Sequence, residues 1–239
     1  MNEQLLQIYE EWKLTLPQWE NFYHQLSSPL LLNVTADYAA AENQKILVVG
    51  QETFGWDPDS GPYRKVESLH DFVFGECSVE ALMWGYRGFC FAARQPSTRK
   101  SPFWQAFRHM TDVNARVAGM WTNLSRCDFN GGSILQAPIH FRNLMIEAQK
   151  RLLRAEIEIL EPDVCLFFTG PNYDDFMREI LGDIKFHTFC CGHKTRVAAR
   201  VGGRGLPCRT IRTYHPAYLR RARLWDILDQ IRLLIYAEI

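Results

Sequence analysis

Two side chains capable of acid–base chemistry follow short apolar segments of this sequence. Glu52 comes just after the run KILVVG at residues 45–50, and a carboxylate there could activate water as a general base or stabilise a cation. His215 follows residues 208–214 and precedes a proline, so its imidazole could lie beside a phosphate-binding edge. Both have simpler roles, since Glu52 could be a helix N-cap or surface acid, and His215 a capping residue on a turn.

Asn123 is a third candidate, because it lies inside the otherwise apolar segment WTNL. A buried amide has to satisfy its hydrogen-bonding groups. Backbone groups commonly do this, and the amide edge of a ligand can do it as well. Asn123 is therefore either a structural residue or one that recognises a ligand.

The segments that carry these residues are predicted to be strands. Four strand candidates alternate along the chain with helical patterns, at residues 45–50, 119–125, 163–169 and 208–214. This alternation is typical of an α/β fold, and we expect a three-layer αβα sandwich with a central, mainly parallel four-stranded sheet. Ligands of such sheets bind beyond the carboxyl ends of the strands, so Glu52 and His215 are expected to meet across one cavity there.

The rest of the chain is predicted to form helices, an edge segment and loops. Helices are expected within residues 1–28 and at residues 102–110 (capped by Ser101), 142–160, 173–181 and 219–236. Residues 184–190 are either a strand or an edge segment. Residues 200–207, RVGGRGLP, are predicted to be a flexible basic loop. We expect one domain over 1–239, with 1–40 as an N-terminal helical extension packed on it.

The composition is that of a folded protein. The 239 residues are 47% hydrophobic and 23% charged, which excludes a mainly disordered chain, and 15 Gly and 7 Cys exclude collagen-like and disulfide-scaffold classes. No apolar run approaches the roughly 20 residues that cross a bilayer. The acidic, amphipathic start is unlike a secretory signal, and the odd number of cysteines without a CxxC pair fits reduced thiols. We therefore expect a cytoplasmic location and no membrane partner.

Charge is distributed unevenly although the formal net charge is zero. Residues 1–80 contain thirteen acidic and four basic residues, whereas residues 184–225 contain ten basic residues and no acidic one. Such a local field attracts a polyanion. The other interpretation is a solvated face whose charges pair with the acidic first third of the chain.

Taken in order, the segments resemble the uracil-DNA glycosylase superfamily. GQETFGW looks like the motif after the first strand, WTNLSRC is similar to the second-strand segment, and SPFW is similar to a segment that supplies a stacking aromatic residue. EIEILEPDVCLFFTG and TYHPAYLRR are closest to the bacterial and archaeal iron–sulfur branch. The resemblance extends from about residue 45 to residue 221.

The resemblance implies roles at a flipped base. Glu52 stands where many relatives have the residue that supports the attacking water and the developing sugar cation, and His215 where they stabilise the departing base anion. Asn123 is implied to recognise the Watson–Crick edge of the base. Phe103 is implied to stack on the base and Phe54 to screen its size. Gln51, in the same motif, is assigned to the base-binding residues as well.

The resemblance also implies a DNA-binding surface. Leu219, four residues after His215, corresponds to the residue that fills the gap left by the flipped base. Arg220, Arg221 and Arg223 are implied to hold phosphates. The acid-free segment around the His-Pro motif agrees with that assignment.

The sequence departs from the family pattern at several places. Glu52 replaces the usual shorter residue and Thr53 replaces the motif proline. The first cysteine is Cys77, so the N-terminal cluster cysteines of the iron–sulfur branch are missing, and we expect no cluster and no other cofactor. Zinc could be held by His187, Cys190, Cys191, His193 and Cys208, but the adjacent cysteines lack the usual spacing, which favours buried thiols and a surface histidine.

These observations predict an enzyme, a DNA glycosylase that hydrolyses the N-glycosidic bond of a flipped uracil or other damaged or modified base. Its expected partner is DNA, through the phosphate backbone and one extruded base. One alternative is a non-catalytic member of the same fold that binds DNA or a nucleotide. Another is a nucleotide hydrolase that uses Glu52 and a metal, although neither a Walker-type loop nor a GxGxxG motif is present.

Overall fold

We describe the protein from a computed structural model, over residues 1–16, 23–40, 42–54, 69–92, 100–112, 114, 116–189 and 194–236. The strands are β1 (Gln44–Gly50), β2 (Val117–Asn123), β3 (Val164–Phe167), β4 (Ile184–Thr188), β5 (Ala198–Gly203) and β6 (Arg209–Thr213). The helices are α1 (Asn2–Thr15), α2 (Ala36–Ala39), α3 (Leu69–Phe74), α4 (Val79–Ala92), α5 (Pro102–Thr111), α6 (Ile139–Gln149), α7 (Leu152–Leu160), α8 (Asp174–Leu181), α9 (Pro216–Arg221) and α10 (Asp226–Tyr236).

The chain divides into two compact units, which are described separately. The first contains residues 1–35, 51–93 and 123–160, and the second contains residues 36–50, 94–122 and 161–239. Among the described residues, none of the helices combines the length and the apolar character that a bilayer crossing requires.

The second unit contains a six-stranded mixed sheet flanked by helices, in the order β2-β1-β3-β6-β5-β4. The central strands β1, β3 and β6 are parallel, with Leu47 opposite Cys165 and Cys165 opposite Thr210. All four residues of β3 are buried, as is usual for a parallel strand covered on both faces. The α/β class is therefore confirmed.

Two antiparallel strands, β5 and β4, extend the sheet beyond the four that the sequence predicts. The prediction of a strand or edge segment at residues 184–190 is confirmed by β4. The prediction of a loop over residues 200–207 is wrong in its first half, because β5 continues to Gly203. Its glycines hide the strand from sequence patterns, whereas hydrogen bonds to neighbours on both sides and the buried Ala198, Ala199 and Val201 stabilise it.

Helix α5 packs closely on β2 in the second unit. A Cβ atom at Gly119 would lie 2.3 Å from Cγ2 of Thr111, so glycine is required there. Pro102 occupies the start of α5 as expected. Ser101 is the N-cap residue, but its side chain makes no capping hydrogen bond; its carbonyl oxygen accepts from the N–H of Gln105 at 3.0 Å.

The predicted helix at residues 219–236 is instead two helices, α9 and α10. The N–H of Leu224 donates to the carbonyl of Leu219, and the N–H of Arg223 donates to that of Arg220. These are the two bonds of a Schellman motif, with Arg223 in the left-handed position at φ 57°. Glycine usually marks such an end, and the arginine here gives no sequence signal for it.

The first unit is mainly helical. Leu5, Tyr9 and Trp12 form one buried face of α1, which packs on α4, α6 and α7. The predicted helix at residues 142–160 is broken between α6 and α7. The carbonyl of Ala148 accepts a hydrogen bond from the indole Nε1 of Trp12 at 2.9 Å. In a continuous helix this carbonyl would accept from a backbone N–H four residues later.

A buried polar network lies in the middle of this helical unit. Glu156 accepts hydrogen bonds from Tyr9 Oη at 2.7 Å and from Arg126 Nη2 at 2.5 Å, and both charged side chains are 1% exposed or less. Tyr9 in turn accepts from the N–H of Leu32 at 3.0 Å. Burial raises the pKa of Tyr9. The charges are therefore paired and bonded, as their removal from water requires.

Candidate functional site

His215 lies at the carboxyl end of β6 and forms the N-cap of α9. Its Nδ1 atom accepts a hydrogen bond from the backbone N–H of Ala217 at 3.2 Å. Nδ1 is therefore unprotonated, and the neutral ring carries its proton on Nε2. Nδ1 therefore performs the capping role that the sequence suggested as one alternative. Nε2–H is the hydrogen-bond donor of the ring.

The imidazole is also held in its neutral form. Burial, together with the smaller effect of the positive charge of Arg221, lowers the pKa of His215 to about 4. At neutral pH a neutral Nε2–H is consequently available, and it can donate to an oxygen on which negative charge develops.

Phe103, the second residue of α5, lies beside His215. The two ring centroids are 6.1 Å apart and the ring planes are inclined by 18°. Edge-type contacts with Trp121 and Phe168 hold the phenyl ring. Two van der Waals separations of about 3.5 Å each together exceed this distance, so a base does not fit between the two rings.

The loop after β1 carries Gln51 and Glu52 in the first unit. The carbonyl of Gln51 accepts from the N–H of Ser125 at 2.9 Å, so this loop lies alongside the segment that follows β2. Glu52 is half-buried, and its Oε2 lies 3.5 Å from Oγ of Ser133. Asn123, the last residue of β2, is 4% exposed. The structure therefore brings Gln51 and the strand end that carries Asn123 together.

Thr53 anchors this loop where the resembling motif has proline. The buried Thr53 Oγ1 donates to Oδ2 of Asp128 at 2.9 Å and lies 2.8 Å from Oγ of Ser27. Ser27 Oγ also accepts a hydrogen bond from the N–H of Asp128 at 3.0 Å. Hydrogen bonds thus restrain the loop that carries Glu52, in place of the fixed φ of a proline.

Asp128 is a residue that sequence reasoning missed. Its carboxylate is 1% exposed and accepts from Thr53 and from the N–H of Gly131 at 2.8 Å. The available signal is the run DFNGG, in which an acidic residue precedes Asn130 and Gly131, both in the left-handed region. Asp128 therefore restrains, through Thr53, the loop that carries Glu52.

Two predicted base- and DNA-contacting residues are placed otherwise than expected. Leu219 is completely buried in α9, so it is not available to fill a gap in DNA, and that prediction is corrected. Its burial follows from the helical turn, which directs it inward and leaves Tyr218 exposed. Phe54 is 89% exposed and therefore lines no enclosed pocket for a base.

The basic segment at residues 184–225 is largely an exposed surface. Eight of its ten basic residues are exposed: Lys185, Lys194, Arg196, Arg200, Arg204, Arg220, Arg221 and Arg223. The other two are Arg209, which is half-buried, and Arg212, which is buried and pairs with Asp174 at 2.9 Å. Arg220 donates to Oε1 of Gln105 and lies over the ring of Trp225. Most of the segment therefore remains available to a polyanion.

The candidate zinc ligands lie partly outside the described residues. Cys190, Cys191 and His193 lie outside the described residues, as do Gly55 and Trp56 of the first motif. The part of the chain that is described contains no group of three or more His, Cys, Asp or Glu side chains placed to hold a metal ion.

Glu52 belongs to the first unit and His215 to the second.

No protein-family model matches this chain, and no curated protein matches it either.

Proposed function

We propose that the protein is a DNA glycosylase that hydrolyses the N-glycosidic bond of a flipped uracil or another damaged or modified base, in the manner of the uracil-DNA glycosylase superfamily, and that it acts in the cytoplasm. The observation that carries the proposal is the pair formed by Phe103 and His215. An aromatic ring lies beside a neutral imidazole whose Nδ1 is occupied and whose Nε2–H is left to donate.

Base release requires stabilisation of two opposite charges. The bond between C1′ and the base nitrogen breaks, and its electron pair leaves with the base as an anion. Nε2–H of His215 donates to an oxygen of that anion, and a neutral donor suits this task because it does not have to transfer its proton. Phe103 offers its ring to the base.

The sugar becomes cationic and is attacked by water. The oxygen of the water bonds to C1′, and its proton passes to the carboxylate of Glu52, whose negative charge also favours the cation. Asn123 recognises the amide edge of the base and Gln51 contributes to base binding. Arg220, Arg221 and Arg223 hold phosphates, which the exposed positions of these side chains support.

The test is release of a base from DNA. The protein is incubated in EDTA with single-stranded and duplex DNA containing different bases, and abasic sites are scored by alkaline cleavage. Glu52→Gln and His215→Asn are each expected to reduce release by roughly 100-fold or more, since a general base and an oxyanion donor are each worth at least that factor. Asn preserves the cap at position 215 but not the imidazole donor.

The matched controls are Glu158→Gln and His140→Ala, two exposed residues of the first unit, which should leave release unchanged. Charge reversal at Arg220 and Arg221 should weaken DNA binding while leaving the folded structure intact. Salt-sensitive DNA binding without release of any base would overturn the proposal in favour of a non-catalytic binding protein. Release that survives Glu52→Gln would show that another group activates the water.

A further inference from the structure

An aromatic pair on the second unit is not used by the proposed chemistry. The rings of Tyr214 and Tyr218 are stacked, with centroids 4.2 Å apart and planes inclined by 28°. Tyr218 is nevertheless 42% exposed. Because Tyr214 covers one face of the Tyr218 ring, the exposed area belongs to the opposite face and the rim. The pair therefore presents a flat aromatic surface to solvent.

Tyr214, the ring on which Tyr218 stacks, is held in place by polar and steric contacts. Tyr214 Oη accepts a hydrogen bond from Nε of Arg196 at 3.1 Å. Gly170 approaches the same ring so closely that a Cβ would lie 3.3 Å from its Cδ1, and its φ of 75° requires glycine in any case. A ring that is already ordered loses little conformational entropy when a ligand stacks on its neighbour.

Positive charge surrounds the exposed ring. Arg221 is exposed and follows Tyr218 by three residues on α9, which makes the two side chains neighbours on the helix. Arg196 is also exposed, and it donates a hydrogen bond to Tyr214. Arg212 links these residues to an acid. Its Nη1 donates to the carbonyl of Arg196, and its Nη2 pairs with Asp174.

We propose that Tyr218 is the stacking platform for an unpaired nucleobase of single-stranded DNA, with Arg196 and Arg221 binding the phosphates that flank it. Aromatic rings combined with cations are the features by which proteins bind single strands. The inference deepens the proposed function, on which it rests: Tyr218 lies three residues after His215, so it would take the nucleotide next to the one processed. Tyr218, rather than the buried Leu219, is thus the large hydrophobic side chain that α9 exposes.

The experiment measures binding of the full chain to fluorescently labelled oligothymidylate, and to a blunt duplex of normal bases, by anisotropy. Tyr218→Ala should weaken single-strand binding by roughly 5- to 150-fold, the equivalent of one stacked base, and should change duplex binding by less than about twofold. Tyr218→Phe keeps the ring and should bind like the unmodified protein. Leu233→Ala, which shortens another exposed apolar side chain of the second unit, is the control.

Phosphate binding is separable from stacking by its salt dependence. Arg196→Gln should lower the slope of log Kd against log salt by about 0.7, the value for one phosphate of a single strand, whereas Tyr218→Ala should leave the slope unchanged. Circular dichroism and thermal unfolding check that each variant is folded.

The platform would be overturned if the unmodified protein did not bind oligothymidylate, if Tyr218→Ala bound it normally, or if Tyr218→Ala lost duplex affinity equally. These measurements involve no bond cleavage, so they can fail independently of the proposed activity. Single-strand binding through Tyr218 without any base release would refute the glycosylase alone. If the protein releases bases but Tyr218→Ala binds single strands as tightly as the unmodified protein, the platform alone would be refuted.

Discussion

The neutral state of His215 can be tested through the pH dependence of stability. In the unfolded chain this histidine has its ordinary pKa of 6.5, whereas in the folded protein burial lowers the pKa to about 4. Between these values the unfolded state binds more protons than the folded state, so the free energy of unfolding rises with pH. The contribution is fully present above about pH 6.5 and is lost as the pH falls towards 4.

The size of the effect follows from the two pKa values. Their difference corresponds to about 3 kcal/mol in total, of which about 2 kcal/mol is lost between pH 7 and pH 5. His215→Asn removes the titrating group but retains a side chain that can accept from the N–H of Ala217. The variant should therefore lose about 2 kcal/mol less stability than the unmodified protein between the two pH values.

The assay is urea unfolding of both proteins at pH 7 and pH 5, with the difference between them taken at each pH so that other titrating groups cancel. Nitrogen-detected NMR of the imidazole provides an independent measurement. It should show the proton on Nε2, and no titration of His215 between pH 8 and about pH 5.5. The variant identifies the signal among the seven histidines by its absence.

Parallel loss of stability in the two proteins would refute the reasoning, because a histidine with an unshifted pKa contributes nothing to the difference. An NMR midpoint near 6.5, or a proton on Nδ1, would refute it as well. A proton on Nδ1 would also remove the neutral Nε2–H donor from the mechanism proposed above.

Two further predictions concern the first unit. Glu156→Ala removes the carboxylate that pairs with the buried Arg126 and should cost about 3–5 kcal/mol in urea unfolding. Joint replacement of both residues by Leu and Met should recover most of the loss, and equal destabilisation of the two variants would contradict this. Thr53→Val removes the donor to Asp128 and should lower the free energy of unfolding by about 1–3 kcal/mol. It should also lower the rate of base release, and Thr53→Ser should restore that rate. An unchanged rate would show that the hydrogen bond does not position Glu52.

Much of the sheet could be predicted from local patterns. The runs that became β1 and β3 are continuous and apolar, because parallel strands of a sheet that is covered on both faces are buried. β6, with the sequence RTIRT, has only one apolar residue although four of its five residues are buried. β5 could not be predicted in the same way, since its glycines resemble a loop and its stability comes from two neighbouring strands.

The breaks between helices were missed for a related reason. Arg223 adopts a left-handed conformation that sequence patterns expect of glycine, and the end of α6 is set by a tryptophan from a distant helix. Local periodicity contains neither contact. A helix boundary without Gly or Pro is decided by hydrogen bonds that form only after the chain has folded.

For the candidate site, the sequence by itself determined which residues are candidates for the chemistry and that His215 follows a strand end, because a strand, a proline turn and a charged segment are local features. Only the tertiary structure decided that Nδ1 of His215 is occupied, that Leu219 is buried and Tyr218 exposed, and that Asp128 restrains the loop of Glu52. Those outcomes depend on burial and on hydrogen bonds between residues distant in sequence, which residue types and spacing do not specify.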